Sequence, residues 1–172
     1  SSLATGDEVR ITGGINSDSP NLSRGLILNA GAGDVFVLGD SGLTNRLGDF
    51  IARGATVALG SVVGNGQMRF EGSTLTALTG DTYTGIDLTF TGPVELREDV
   101  EMNATNLVVF NSTVESDNGL RTLTTNALGT RFSGAVGATS GRELGSLTST
   151  VGATGILGGT VRTRDGQSYG AQ

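Results

Sequence analysis

A large apolar residue, a spacer, a Gly or Ser, another spacer and then an apolar residue recur along this 172-residue chain. This short motif constrains the fold more than any other feature. It reads ITGGI from Ile11, LGSVV from Leu59, FTGPV from Phe90, FNSTV from Phe110, FSGAV from Phe132 and LGGTV from Leu157. FEGST from Phe70 is a weaker copy, and FVLGD from Phe36 breaks the pattern. From Phe70 onward the anchors stand 20, 20, 22 and 25 residues apart. The 11-residue step from Leu59 to Phe70 is out of phase, so one of those two anchors belongs elsewhere.

A longer echo surrounds the short one. EVRITGGINS from Glu8 is matched 99 residues later by LVVFNSTVES from Leu107, and further segments match at offsets of 96 and 98. The chain divides on this basis into a first long copy over about 8–66, connecting coils over about 67–106 and a second copy over about 107–170. Within each short unit, apolar and polar residues alternate between flanking glycines, as in Val35-Phe36-Val37 or Leu88-Thr89-Phe90, the pattern of short half-buried strands. A unit of 20–25 residues cannot bury its own apolar face. Stacked as coils, such units make a continuous core, and a recurring Gly permits a tight corner at each turn. The expectation is one all-β domain, a parallel β-helix (β-solenoid) with coils of about 20–25 residues. Ile11, Phe36, Leu59, Phe90, Phe110, Phe132 and Leu157 would then stack as an internal column. The competing architecture is a Gly-rich β-sandwich with evenly spaced hairpins. LTNRLGDFIAR, from Leu43, has some helical character but reads as strand beside its matched segment.

Composition narrows the chemistry by subtraction. The chain carries 29 Gly but no G-X-Y period, and 36% hydrophobic residues, which separates it from collagen and from disorder. A net charge of −6 with 11 scattered Arg and no Lys argues against nucleic acid as a partner. Without His or Cys there is no zinc or copper ligand set, no histidine-based triad and no disulfide framework. No run approaches the ~20 apolar residues of a membrane helix. The opening SSLATGDEVR lacks an initiator Met and an apolar signal region, and reads as a processed or excised piece.

Three residue groups are the candidates for chemistry. In ELREDVE, strand alternation places Glu95, Arg97, Asp99 and Glu101 on one face, opposite Leu96, Val100 and Met102. Paired carboxylates can share acid and base duties in glycoside hydrolysis, but nothing in the sequence marks one of them for that role, and a solvated strand face is the favoured reading. Asp34, Asp40, Asp49, Asp81 and Asp87 are candidate calcium ligands, yet neither G-G-x-G-x-D nor an EF-hand loop occurs, and the Gly-Asp pairs read as turns. The pairs Thr82/Thr84, Thr89/Thr91, Thr122/Thr124 and Thr148/Thr150 each put two hydroxyls on one strand face. Such pairs could contact water or glycans, but they are unevenly spaced, and Thr is an ordinary strand former. Tyr83 and Tyr169 are the only tyrosines to stack on a sugar. Asn21, Asn103 and Asn111 head N-x-S/T sequons. No residue is assigned as catalytic, cofactor-binding or metal-binding, and no cofactor is expected.

The elements FSGAV (Phe132 to Val136), LGSL (Leu144 to Leu147), GGTV (Gly158 to Val161) and the closing Gly166 to Tyr169 follow one another in order. In this the chain resembles filamentous-haemagglutinin-like bacterial exoproteins and giant surface adhesins, most closely from Asp81 onward. The resemblance implies a right-handed parallel β-helix, export across both membranes of a Gram-negative cell to its outer surface, and adhesive or fibre-forming work; with the reactive residues missing, no catalysis is expected. The implied partners are further copies or neighbouring repeats of the same protein, and host or surface glycans. A carbohydrate-active or carbohydrate-binding β-helix, with Glu95, Asp99 and Glu101 as its cluster, is the alternative.

Overall fold

The computed structural model describes residues 7–170. Among these the chain is all-β, with no helix, and coils into a β-solenoid of about seven turns. Thirteen strands form one sheet: β1 (Val9–Ile11), β2 (Leu26–Asn29), β3 (Val35–Val37), β4 (Phe50–Leu59), β5 (Val62–Val63), β6 (Met68–Leu78), β7 (Thr82–Phe90), β8 (Val94–Leu96), β9 (Val100–Phe110), β10 (Val114–Ser116), β11 (Leu123–Phe132), β12 (Leu144–Ile156) and β13 (Thr163–Tyr169). Every pairing between these strands is parallel; strands bond to the coil before and the coil after, except that β1 and β2 pair only with the following coil and β13 only with the preceding one.

Register sorts the interior into three ladders. In the valine ladder, Val9, Val35, Val57, Thr76, Val94, Val114, Val136 and Val161 are successive partners, 18 to 26 residues apart. In the phenylalanine ladder, Leu28, Ala52, Phe70, Phe90, Phe110, Phe132 and Ile156 follow one another. A third ladder runs through Ser41, Val62, Tyr83, Met102, Thr125, Ser149 and Tyr169; we call it the hydroxyl ladder for the side chains on its outer face.

The expected stack of Phe90, Phe110 and Phe132 is present, in adjacent coils and fully buried. Ring centroids are 4.9 Å and 5.0 Å apart, at interplanar angles of 10° and 4°. Parallel, in-register strands repeat at about 4.8 Å, so identical side chains on successive rungs must lie face to face. Phe70 extends the stack at 4.9 Å, and Phe50 leans on it at 6.1 Å.

The other expected members of that column lie elsewhere. Ile11 and Leu59 close valine-ladder strands instead. Phe36 is half-buried on the outer side, with the Arg10 guanidinium 5.2 Å from its ring centre. Leu157 follows the last phenylalanine-ladder strand and is 69% exposed. The reason is that the short motif marks two different corners. Where it begins with Phe, the aromatic ends a phenylalanine-ladder strand and the closing Val opens a valine-ladder strand, as in Phe90 to Val94. In ITGGI and LGSVV, the first residue ends a valine-ladder strand and the chain turns toward the hydroxyl ladder. The out-of-phase step between Leu59 and Phe70 is the distance between two kinds of corner. Both kinds need glycine because backbones stack there: a Cβ on Gly92 would strike the Gly72 carbonyl, and one on Gly80 the Ser61 amide.

Register also separates the residues that the long echo matched. Val9 shares a ladder with Val114, whereas Val108 belongs to the phenylalanine ladder. Of LTNRLGDFIAR, the first half forms turns and an isolated bridge, and β4 begins at Phe50.

Phe110→Ala opens the middle of the ring stack and should cost about 3–5 kcal/mol of unfolding free energy. Urea denaturation of Phe110→Ala beside Phe36→Ala checks the assignment. The half-buried Phe36 should cost clearly less, and equal losses would contradict the two environments.

Candidate functional site

Ladder hydrogen bonds slip at the corners, and the aspartates sit where they slip. Register shifts fall between Gly54 and Thr56 and between Gly85 and Asp87. There Asp34 Oδ1 accepts the Thr56 N–H at 2.8 Å, and Asp87 Oδ1 accepts the Leu107 N–H at 3.2 Å and the Asn106 Nδ2–H at 2.7 Å. Asp40, Asp49 and Asp99 accept the N–H groups of Ser61, Gln67 and Thr122 at 2.9, 2.8 and 2.8 Å. Each donor lies one coil further along. The fifth calcium candidate, Asp81, accepts the Ser61 hydroxyl of the preceding coil at 3.0 Å. These exposed or half-buried bonds each tie one coil to the next, and at a net worth of about 0.5–1.5 kcal/mol apiece the carboxylates act as staples between coils. Among the described residues, no group of three or more Asp or Glu is arranged to hold a metal ion.

ELREDVE does not share one face, because the chain turns between β8 and β9. Glu95 lies on the outer side of the valine ladder, accepting from Arg97 Nε at 2.6 Å and from the Arg142 guanidinium. Glu101 lies on the hydroxyl ladder and accepts from Asn126 Nδ2 at 2.8 Å. Asp99 occupies the corner between them. Strand alternation fails here because it assumes an uninterrupted strand.

The sequence reading missed Glu115, the register neighbour of Glu95, which is only 8% exposed. Its carboxylate accepts from Thr139 Oγ1 at 3.1 Å and from the Thr139 N–H at 3.3 Å. The 137–143 loop thus straps across the valine ladder, and Arg142 reaches both Glu95 and the Ser116 carbonyl. Nothing local in the sequence announces a contact spanning 47 residues.

The threonine pairs are better organised than their spacing suggests. Three of the four lie on the outer face of the hydroxyl ladder, flanking the buried Tyr83, Leu123 and Ser149. Thr82, Glu101, Thr124, Thr148 and Ser168 occupy successive rungs of one column. Beside it, Thr84, Asn103 and Asn126 form a second, which the Thr150 hydroxyl extends by donating to Asn126 Oδ1. Unequal coil lengths hide this alignment in the sequence. At its edge Asp81, Thr82, Asp99, Glu101, Thr122 and Thr124 line an open cleft of about 240 Å³. That is smaller than the roughly 300–1,000 Å³ of pockets that enclose a small molecule, so the cleft can hold a ligand only by surface contact.

Tyr83 offers no platform for a sugar. It is fully buried, edge-on to Phe70 at 6.1 Å, donating to the Leu59 carbonyl at 2.9 Å, and burial pushes its phenol far above its ordinary pKa. Tyr169 is 39% exposed on the last strand. Of the sequon asparagines, Asn103 is half-buried in the second outer column, whereas Asn21 and Asn111 are exposed.

Comparison with protein-family models, with curated proteins and with solved structures finds no match to this chain.

Asp87→Ala removes exposed hydrogen bonds to Leu107 and Asn106 and should lower unfolding free energy by about 0.5–1.5 kcal/mol, while a chelator leaves the melting temperature of the parent chain unchanged. Chelator-sensitive melting would assign these carboxylates to a cation instead.

Proposed function

We propose that this chain is a non-catalytic structural and adhesive segment of an exported bacterial surface or fibre-forming protein, with coils that continue end to end into another copy or a neighbouring repeat. The observation that carries the reading is the state of the last described coil. Interior ladders that are sealed at Phe132 and Val136 run on to Ile156, 39% exposed, and to a half-buried Val161. Tyr169 and Leu157 add further apolar surface nearby. A parallel strand end with free N–H and C=O groups is a template for another strand. The commitment of the acidic side chains to coil-to-coil stapling also fits a load-carrying rod rather than a reaction centre. Of the terminal stretches that prompted this expectation, residues 1–6 and 171–172 lie outside the described residues.

Val161 provides a clean test. Its neighbours hold the preceding coil, Thr160 accepting the Val136 N–H at 2.9 Å and the Arg162 N–H donating to the Val136 carbonyl at 2.9 Å. Its carbonyl accepts from Gln167 Nε2 at 3.1 Å, and its own N–H makes no backbone hydrogen bond among the described residues. Val161→Pro should therefore abolish concentration-dependent assembly in sedimentation velocity while leaving the central coils folded by circular dichroism. A parent chain that stays monomeric at high concentration would end the end-to-end part of the reading.

The aligned outer columns of the hydroxyl ladder favour a second reading, in which this face contacts glycans. Hydroxyl, amide and carboxylate groups repeated every coil suit the hydroxyls of an extended sugar chain. The carboxylates Asp81, Asp99 and Glu101 favour neutral or amino sugars over sulfated ones. On a glycan array, Thr124→Val should lose binding that Thr89→Val, on a different ladder, retains. Equal binding by both variants would remove this face from consideration.

A further inference from the structure

The chain contains two Asn-Gly pairs, Asn65-Gly66 and Asn118-Gly119, in very different settings. We infer that Asn118 is a site of spontaneous backbone modification, converting through a succinimide to aspartate and isoaspartate, while Asn65 is protected.

The chemistry needs an exposed Asn, a following residue without a Cβ, and an amide nitrogen free to reach the side-chain carbonyl. In the reaction the Gly119 nitrogen bonds to Asn118 Cγ, the Cγ–Nδ2 bond breaks, and ammonia leaves, gaining one proton as the attacking nitrogen loses one. Water then opens either C–N bond of the ring. The net change is gain of water and loss of ammonia, and no oxidant or cofactor enters.

At Asn118 the pieces are in place. Asn118 and Gly119 are exposed and form the turn between the valine and hydroxyl ladders, outside every strand. The Gly119 N–H donates to the Asp117 carboxylate at 2.7 Å and not to a ladder carbonyl, so its release breaks no rung. The Arg121 guanidinium engages both Asp117 oxygens and holds the carboxyl below the usual range, so Asp117 is a weak base and the proton of the attacking nitrogen passes to hydroxide from solvent. The next residue, Leu120, has φ 54°, the only positive φ of a non-glycine among the described residues. An isoaspartate lengthens the backbone by one carbon just before this strained position, giving the turn slack.

Asn65 has the same dipeptide and is also exposed, but the backbone around it is pinned on both sides. Its N–H donates to the Leu47 carbonyl at 3.0 Å, the buried Gly66 accepts the Ile86 N–H at 2.7 Å, and the Gln67 N–H is held by Asp49 at 2.8 Å. Ring closure turns the Asn65–Gly66 peptide against these bonds, and straining or opening them slows it by roughly tenfold or more.

The test is peptide mapping by mass spectrometry of the intact folded chain after incubation in warm, mildly alkaline buffer. Isoaspartate is scored by enzymatic methyl transfer. Asn118 should acquire the amide-to-acid mass change at least roughly tenfold faster than Asn65, with isoaspartate in its product, and urea-unfolded chain should modify both at similar rates. Asp117→Ala frees the Gly119 N–H and should leave Asn118 the faster of the two sites. Equal rates at the two sites in the folded chain, or faster conversion at Asn65, would overturn the inference.

Discussion

Everything in this molecule depends on the parallel backbone ladder between successive coils. Because strands bond in register from coil to coil, each ladder residue is placed about 4.8 Å from its counterpart on the next turn. Ring centroids at 4.9, 4.9 and 5.0 Å from Phe70 to Phe132 are that repeat expressed in side chains. Like stacks on like, so a good interior residue on one coil is a good one on the next. The repetition in the sequence follows from this constraint.

The corners carry the cost of the ladder. A backbone that turns sharply three times per coil brings successive chains into contact where no Cβ fits, hence Gly80 and Gly92. It also breaks the regular bonding, hence the register shifts beside Thr56 and Leu107. Aspartate repairs the break because its short acceptor reaches a backbone N–H one coil away. Much of the acidic character of this chain is therefore architectural. Larger excursions need larger repairs, as where the 137–143 loop is strapped down by Glu115 and by the two-coil reach of Arg142.

Toward the last described coils the interior changes character. Met102 and Val108 give way to Thr125 and Thr130, whose hydroxyls pair at 2.9 Å, and then to Ser149 and Thr154, whose buried oxygens have no partner. A core that loses apolar packing coil by coil is less stable at that end, which is also where Ile156 and Tyr169 are exposed. The adhesive-rod reading treats that end as a joint, held by whatever stacks on it.

The sequence alone determined the class of fold, and did so for a physical reason. A 20-residue apolar period with a glycine at each turn has few ways to bury itself other than by stacking coils. The phenylalanine column was legible because its members are large, identical and evenly spaced. What only the tertiary structure decided was which corner each motif marks and which rung each residue occupies. Coil lengths vary from 18 to 26 residues, so linear spacing cannot say that Thr82, Thr124 and Thr148 stand in one column, or that Ile11 and Leu59 stand outside the phenylalanine ladder. The roles of the aspartates were hidden for the same reason. A carboxylate followed by glycine looks locally like a turn, and its true partner is an amide one coil away, which only the closed ladder brings within reach.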